Sequence, residues 1–233
     1  MGRGWVNAVR EAAGAKKGRL FTKLAREITV AVKMGGANPE GNARLKSALR
    51  DAQKNSMPKD TVERAIKRGT GEGQEAQFEE VTYEGYGPHG IAVLVEALTD
   101  NRNRTVQDLR AQFVRGGGNL GESGSVAWMF DRLGLVVARA PQSGVDPEEA
   151  AINAGADSVE EDTPREFMFW GVAQDFEKIA SSLQAQGWEV VKNEITYKPK
   201  TPAPLTEAQQ ADLQKFLELV DDNDDVKRIH LAV

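Results

Sequence analysis

The 233-residue sequence contains no cysteine and only two histidines, His89 and His230, which lie far apart in the chain. The absence of cysteine excludes disulfide bonds, thiolate metal sites and a cysteine nucleophile, and it is typical of a reducing compartment. Because histidine is scarce and no P-loop or HExxH pattern is present, zinc chemistry and histidine-based acid–base catalysis are not expected. The sequence predicts a protein that is not an enzyme and that uses no metal and no cofactor.

Long apolar runs are also missing. No stretch of about 18 consecutive apolar residues could span a bilayer, and the first residues lack the apolar core of a signal peptide. We therefore expect a cytoplasmic protein with no membrane partner. The sequence leaves the oligomeric state open.

Charge is unevenly distributed along the chain. Residues 1–73 carry 16 basic and 7 acidic residues, a net charge of +9, whereas residues 74–233 carry 14 basic and 28 acidic residues, a net charge of −14. A basic amino-terminal segment on an acidic remainder suggests a module that binds a polyanion such as a nucleic acid. Lys/Arg-rich helices that serve only solubility are the alternative.

Residues 1–73 are predicted to form a basic helical bundle. Apolar residues at helical spacing indicate a helix over 19–34 that ends at Gly35-Gly36. Asn38-Pro39 predicts the start of a second helix, and Pro58 the start of a third that ends at Gly69.

The remainder alternates strands and helices, which predicts an α+β protein with two α/β domains of the ferredoxin-like type. In the first, strands over 78–86 and 91–98 precede a helix over 105–114, with Asn103 as a possible N-cap, and a strand over 125–130.

The second α/β domain, residues 134–204, has the order βαββαβ that is typical of a ferredoxin-like fold. A last helix and strand follow in residues 205–233 and complete the elements that residues 74–133 lack. We therefore expect a middle domain of 74–133 plus 205–233 into which 134–204 is inserted.

The helix that begins near residue 19 has two distinct faces. Four cations fall within roughly 80° of one another at 100° per residue, opposite the apolar residues. This cationic stripe consists of Arg19, Lys23, Arg26 and Lys33, with Lys16 and Lys17 just upstream. Because no acidic residue lies on the stripe, it could neutralise several phosphates; a solvated helix face is the alternative.

Two further charged segments bear on binding. Arg102 and Arg104 lie at the start of the predicted 105–114 helix, where they could form an anion site with the helix N-terminus, or could pair with nearby carboxylates. Asp221, Asp222, Asp224 and Asp225 lack the pattern of a calcium loop, so we expect a solvated turn.

Several longer motifs resemble the YebC/PmpR family over nearly the whole chain. They are Phe21-Thr22-Lys23-Leu24 with Arg26-Glu27-Ile28, Met57-Pro58-Lys59-Asp60 with Glu63-Arg64-Ala65-Ile66, Tyr83-Glu84-Gly85-Tyr86-Gly87-Pro88, Asp100 to Thr105, and Gly117-Gly118-Asn119-Leu120-Gly121. The resemblance implies three domains, one inserted in another, and no enzymatic activity. The chain departs from the family in opening with Met1-Gly2-Arg3-Gly4-Trp5 instead of His-Ser-Lys-Trp, and in having His89 where glycine is usual.

Two functional hypotheses follow from the charge pattern and the resemblance. Bacterial members of the family are described as DNA-binding transcriptional regulators. Under this first hypothesis, the residues expected to contact DNA phosphates are Lys16, Lys17, the cationic stripe, Arg102 and Arg104. Other relatives act in translation, as a mitochondrial activator of cytochrome c oxidase subunit I synthesis or on the ribosome at proline-rich stretches. The alternative is therefore a translation factor bound to ribosomal RNA.

Overall fold

The structure, a computed structural model, describes residues 17–71, 78–142 and 144–233. The backbone divides into two compact units. The first unit comprises the described residues up to Ala127 together with Leu205–Leu231, and the second comprises Trp128–Pro204 with Ala232–Val233.

The described residues form seven α-helices and two four-stranded antiparallel sheets, which confirms the predicted α+β class. The helices are α1 (Lys17–Gly35), α2 (Ala43–Lys54), α3 (Lys59–Gly69), α4 (Arg102–Arg115), α5 (Pro147–Ala154), α6 (Phe176–Ala185) and α7 (Glu207–Asp221). The strands are β1 (Glu79–Tyr86), β2 (Ala92–Thr99), β3 (Asn119–Leu120), β4 (Phe130–Arg139), β5 (Ser158–Thr163), β6 (Glu166–Val172), β7 (Glu189–Pro199) and β8 (Val226–Leu231).

Helices α1, α2 and α3 form the predicted bundle around one apolar cluster. Its buried members are Ile28, Ala31, Val32, Leu45, Ala48, Ala52, Met57 and Ala65. Helices α2 and α3 each pack against α1, whose apolar face is therefore covered while its charged face is left for other partners. Gly69 allows the close approach of α3 to α1, since a Cβ there would lie 2.6 Å from Val32 Cβ.

The start of the second helix differs from the prediction. Asn38 and Pro39 begin a single 3₁₀ turn, and α2 begins only after Asn42. The Asn42 side chain accepts a hydrogen bond from the Leu45 amide and donates to the Ala31 carbonyl, so it both caps α2 and fixes α2 to α1.

The sheet of the first unit has the order β3-β1-β2-β8. Helices α4 and α7 pack against each other beside it, with the Phe113 and Phe216 rings edge to face at 4.9 Å between centroids. Strand β8 pairs antiparallel with β2, so the last strand joins this sheet. The division of the chain into three domains, with 134–204 inserted into the middle one, stays a prediction.

The second unit contains β4, α5, β5, β6, α6 and β7 in that order, with the sheet order β5-β6-β4-β7. This is the predicted βαββαβ arrangement. Helices α5 and α6 supply Ala150, Ala151, Ile179 and Leu183 to a core that includes Phe169 and Val136 from the sheet.

Two local predictions near the middle sheet were wrong. Asn101, not Asn103, caps α4, because its side chain accepts a hydrogen bond from the Arg104 amide while its own amide is fixed by Thr99 Oγ1. Residues 125–129 form no strand, because the buried carboxylate of Glu84 holds this segment as a loop and the strand begins at Phe130.

Candidate nucleic-acid interface

The cationic stripe lies on α1 as predicted, but its first three members face carboxylates. Lys23 Nζ lies 2.7 Å from Asp221 Oδ1 and also donates to the Asp221 carbonyl. Arg26 lies 2.6 Å from Asp225 Oδ1, and Arg19 forms an ion pair with Asp222. The stripe is therefore not unopposed, contrary to the expectation from the sequence.

The opposing carboxylates all belong to one short segment that links α7 to β8. We call residues 221–225, with Asp221, Asp222, Asp224 and Asp225, the aspartate turn. The prediction that this segment is simply solvated was wrong, because three of its four carboxylates pair with α1.

Asp225 is the most buried carboxylate of the aspartate turn, with 3% of the residue exposed. Its Oδ2 accepts a hydrogen bond of 2.6 Å from Thr105 Oγ1 and also lies 3.0 Å from the Arg104 guanidinium. Burial alone would raise the pKa of Asp225, but hydrogen bonds from Thr105 and Arg104 and the positive charge of Arg26 outweigh it and lower the pKa. Asp225 is therefore ionised at neutral pH and joins α1 to α4.

The two predicted cations at the start of α4 are also paired. Arg102 lies 2.7 Å from Glu79 Oε1, and Arg104 contacts Asp100 at 2.8 Å in addition to Asp225. Of the two alternatives drawn from the sequence, pairing with nearby carboxylates is the one that the structure shows.

The remaining predicted contacts divide into three cases. Lys33 lies in the last turn of α1, is exposed and makes no ion pair with any described residue. Lys17 begins α1, and Lys16 lies outside the described residues. Phosphate contact by any of the predicted site residues stays a prediction.

A second network joins the bundle to the middle domain through Glu27. Arg44 Nε lies 2.8 Å and Lys227 Nζ 3.0 Å from the Glu27 carboxylate, and Glu80 accepts from both cations. Burial acts to raise the pKa of Glu27, but the hydrogen bond from Arg44 and the charge of Lys227 lower it. Helix α1 is therefore held to the middle domain at two places.

Sequence reasoning overlooked the cations on α2 and α3. We call Arg50, Lys54, Lys59, Arg64, Lys67 and Arg68 the outer cations; all are exposed. Within the described residues none of them forms an ion pair with a carboxylate, and the guanidinium of Arg64 bonds only to Asp60 O and Thr61 Oγ1. The spacing of Arg50 with Lys54, and of Arg64 with Lys67 and Arg68, places each group on one helix face and could have revealed them.

Among the described residues, no three carboxylate or imidazole side chains are grouped as ligands for a metal ion, the aspartate turn included. No helix among the described residues is long and apolar enough to cross a membrane.

A basic helical bundle joined to a middle α/β domain, with a separate unit of βαββαβ order, defines a protein of the α+β class. Two family models match the chain: the TACO1/YebC protein N-terminal domain over residues 4–72, and the TACO1/YebC second and third domain over residues 78–233. The chain therefore belongs to the TACO1/YebC family, which confirms the resemblance seen in the sequence.

Similar proteins carry regulatory names. A "Probable transcriptional regulatory protein Bd1964" of Bdellovibrio bacteriovorus is 46% identical over 234 residues, covering 100% of both chains. A "Probable transcriptional regulatory protein" of Geotalea uraniireducens is 47% identical over 222 residues, 94% of this chain and 88% of the relative. The crystal structure of the conserved hypothetical protein Aq1575 from Aquifex aeolicus is similar with a TM-score of 0.79, 40% identity, and coverage of 94% of this chain and 90% of that one.

Proposed function

We propose that this protein is a cytoplasmic nucleic-acid-binding regulator, without catalytic activity, that contacts the phosphodiester backbone of duplex DNA through its helical bundle. The observation that carries the proposal is the set of six outer cations, exposed on α2 and α3 without a carboxylate partner in the described residues. Lys33 on α1 adds a seventh such cation.

The charge of the bundle supports this proposal. Residues 17–71 contain 13 basic and 5 acidic residues, and most of the paired cations face the middle domain. Unpaired lysines and arginines release condensed counterions from DNA when they contact phosphate, which makes binding favourable at low salt and steeply salt-dependent. The regulatory names of the relatives agree with such a role.

The proposal is tested by the salt dependence of binding to a duplex of mixed sequence. In the Lys67→Ala/Arg68→Ala variant, the slope of log affinity against log salt should fall by about 0.9 for each lost phosphate contact, so by about 1.8. The control is Lys178→Ala/Lys200→Ala, which removes the same charge from exposed positions of the second unit. Equal slopes for the two double variants would show that the outer cations do not contact DNA.

Phosphate contacts position a protein but do not select a sequence, so the same surface suits ribosomal RNA. Sedimentation of a lysate through sucrose at low and high salt distinguishes the two targets. Co-migration with the large ribosomal subunit would favour the translation hypothesis, whereas duplex binding without co-migration would favour transcriptional regulation.

A further inference from the structure

The pairing between α1 and the aspartate turn has the form of an exchangeable polyanion contact. Arg19, Lys23 and Arg26 span roughly 10 Å along α1 at 1.5 Å per residue. Each has its own carboxylate from the aspartate turn. The aspartate turn thus places a row of negative charges beside a row of cations on one helix. A phosphodiester backbone would present a similar row of negative charges to the same cations.

The aspartate turn is electrostatically unfavourable without these cations. It begins at Asp221, the last residue of α7, where the helix dipole is negative and acidic residues are disfavoured. The last turn of α7 contains no basic residue that could offset the charge. The cations of α1 therefore supply the compensation, and another polyanion could compete for them.

The individual pairs differ in how readily they could exchange. The Asp222 side chain is 61% exposed and that of Asp221 is 24% exposed, whereas that of Asp225 is 4% exposed and also bound by Arg104. Exposed ion pairs contribute little stability and are screened by salt. Asp221 and Asp222 are thus the exchangeable members, while Asp225 and the Glu27 network hold α1 at residues 26 and 27, so that only its amino-terminal turns can move away from α7.

We propose that the aspartate turn is an intramolecular competitor of nucleic acid: it occupies Arg19 and Lys23 in the free protein and yields them to phosphate on binding. This inference rests on the proposed function. It assigns the predicted phosphate contacts of α1 to the bound state and makes the outer cations the first point of contact.

The first test compares the affinities of the wild type and the Asp221→Asn/Asp222→Asn variant for the same duplex. Removal of the two competing carboxylates, one exposed and one half-buried, should strengthen binding on the order of 5- to 10-fold and steepen the log-salt slope, while the bond from Lys23 to the Asp221 carbonyl remains. The matched control is Asp157→Asn/Glu177→Gln, which changes the net charge equally at exposed positions of the second unit. Any gain seen in the control is the effect of overall charge and is subtracted.

The second test measures the movement itself. Because the chain has no cysteine, spin labels can be attached to Thr22→Cys on α1 and Ala211→Cys on α7, both exposed. The distance between the labels should lengthen when duplex is added, and should be longer in the Asp221→Asn/Asp222→Asn background without duplex.

The outcomes separate this inference from the proposed function. If the wild type binds DNA but the asparagine variant gains no more than its control, or the label distance is unchanged, the competitor role is overturned and the function stands. If neither protein binds, both proposals fail. If only the asparagine variant binds, the aspartate turn blocks the surface completely and the inference is supported.

Discussion

The Asp225 carboxylate is the group whose removal should most weaken the junction between the bundle and the middle domain. It is 3% exposed and lies within 2.6 Å of both Thr105 Oγ1 and Arg26, and 3.0 Å from Arg104. Asparagine has nearly the same shape and keeps one acceptor oxygen, so Asp225→Asn removes the charge without creating a cavity.

The magnitude follows from the change in hydrogen-bond type. Asparagine keeps one acceptor oxygen, and its amide nitrogen cannot accept either the bond from Arg26 to Oδ1 or the bonds from Arg104 and Thr105 to Oδ2. Because a hydrogen bond to a charged group contributes about 1.5–3 kcal/mol, Asp225→Asn should lower the free energy of unfolding by about 2 kcal/mol. For a chain of this length the melting temperature should fall by roughly 4–8 °C.

The assay must report on the first unit. The described tryptophans, Trp128, Trp170 and Trp188, lie in the second unit, so urea unfolding is best followed by far-UV circular dichroism. The control is Asp224→Asn, which removes the same charge at the neighbouring residue; the Asp224 side chain is exposed and makes no ion pair in the described structure, and only its backbone carbonyl contacts Arg26. It should change stability by less than about 0.5 kcal/mol.

The pH dependence provides an independent check. Because the folded-state pKa of Asp225 is lowered, its stabilising effect is fully present above the unfolded-state pKa of about 4 and is lost as the pH falls through the folded-state pKa. The stability difference between wild type and Asp225→Asn should be constant from neutral pH to about pH 5 and close in stronger acid. Equal stabilities of the two asparagine variants at pH 7, or a difference that persists in strong acid, would refute this account.

Two further substitutions test the loops of the middle domain. Glu84→Gln should destabilise the protein by about 2–3 kcal/mol. The buried carboxylate accepts hydrogen bonds from the amides of Gly124, Val126 and Ala127, and a side-chain amide cannot accept all three. A loss below about 1 kcal/mol in urea unfolding would contradict this prediction. His89→Gly should stabilise the protein by up to about 1 kcal/mol. His89 has φ 62°, and this left-handed conformation costs a residue with a Cβ about 1–2 kcal/mol. The greater unfolded-state entropy of glycine offsets part of that gain. His89→Ala keeps the Cβ and loses the same contact with Asp212, so thermal melts that rank it equal to His89→Gly would be inconsistent with backbone strain.

Periodic apolar patterns predicted most of the fold. The apolar spacing over 19–34 correctly predicted a helix with one apolar face, on which Ile28 and Val32 are buried, and the alternation of elements in the second unit predicted its βαββαβ order. Such patterns work because burial of a helix stripe or a strand face is decided by neighbours a few residues away.

The candidate site could not be predicted in the same way. The partners of Lys23 and Arg26 lie 198 and 199 residues further along the chain, and no local window contains both members of such a pair. The stripe was therefore located correctly, but its electrostatic surroundings were not.

Buried carboxylates explain two other differences between expectation and structure. Glu84 shapes residues 124–127 as a loop, and Asp225 binds Thr105, Arg104 and Arg26. Acidic residues in a sequence are ordinarily assigned to the surface, because burial of an unpaired charge is costly. When several distant donors converge on one carboxylate, that cost is offset, and the acid becomes a junction between elements.

This distinction changes how segment charge should be counted. The net charge of residues 1–73 indicates a polyanion partner, but it does not identify which cations are available to that partner. In the folded protein the carboxylates of the aspartate turn neutralise the amino-terminal part of the stripe, so the available positive charge moves from α1 to the outer cations on α2 and α3. A polyanion should therefore meet α2 and α3 first and gain the α1 contacts only by displacing the aspartate turn, which couples affinity to the strength of an internal ion-pair network.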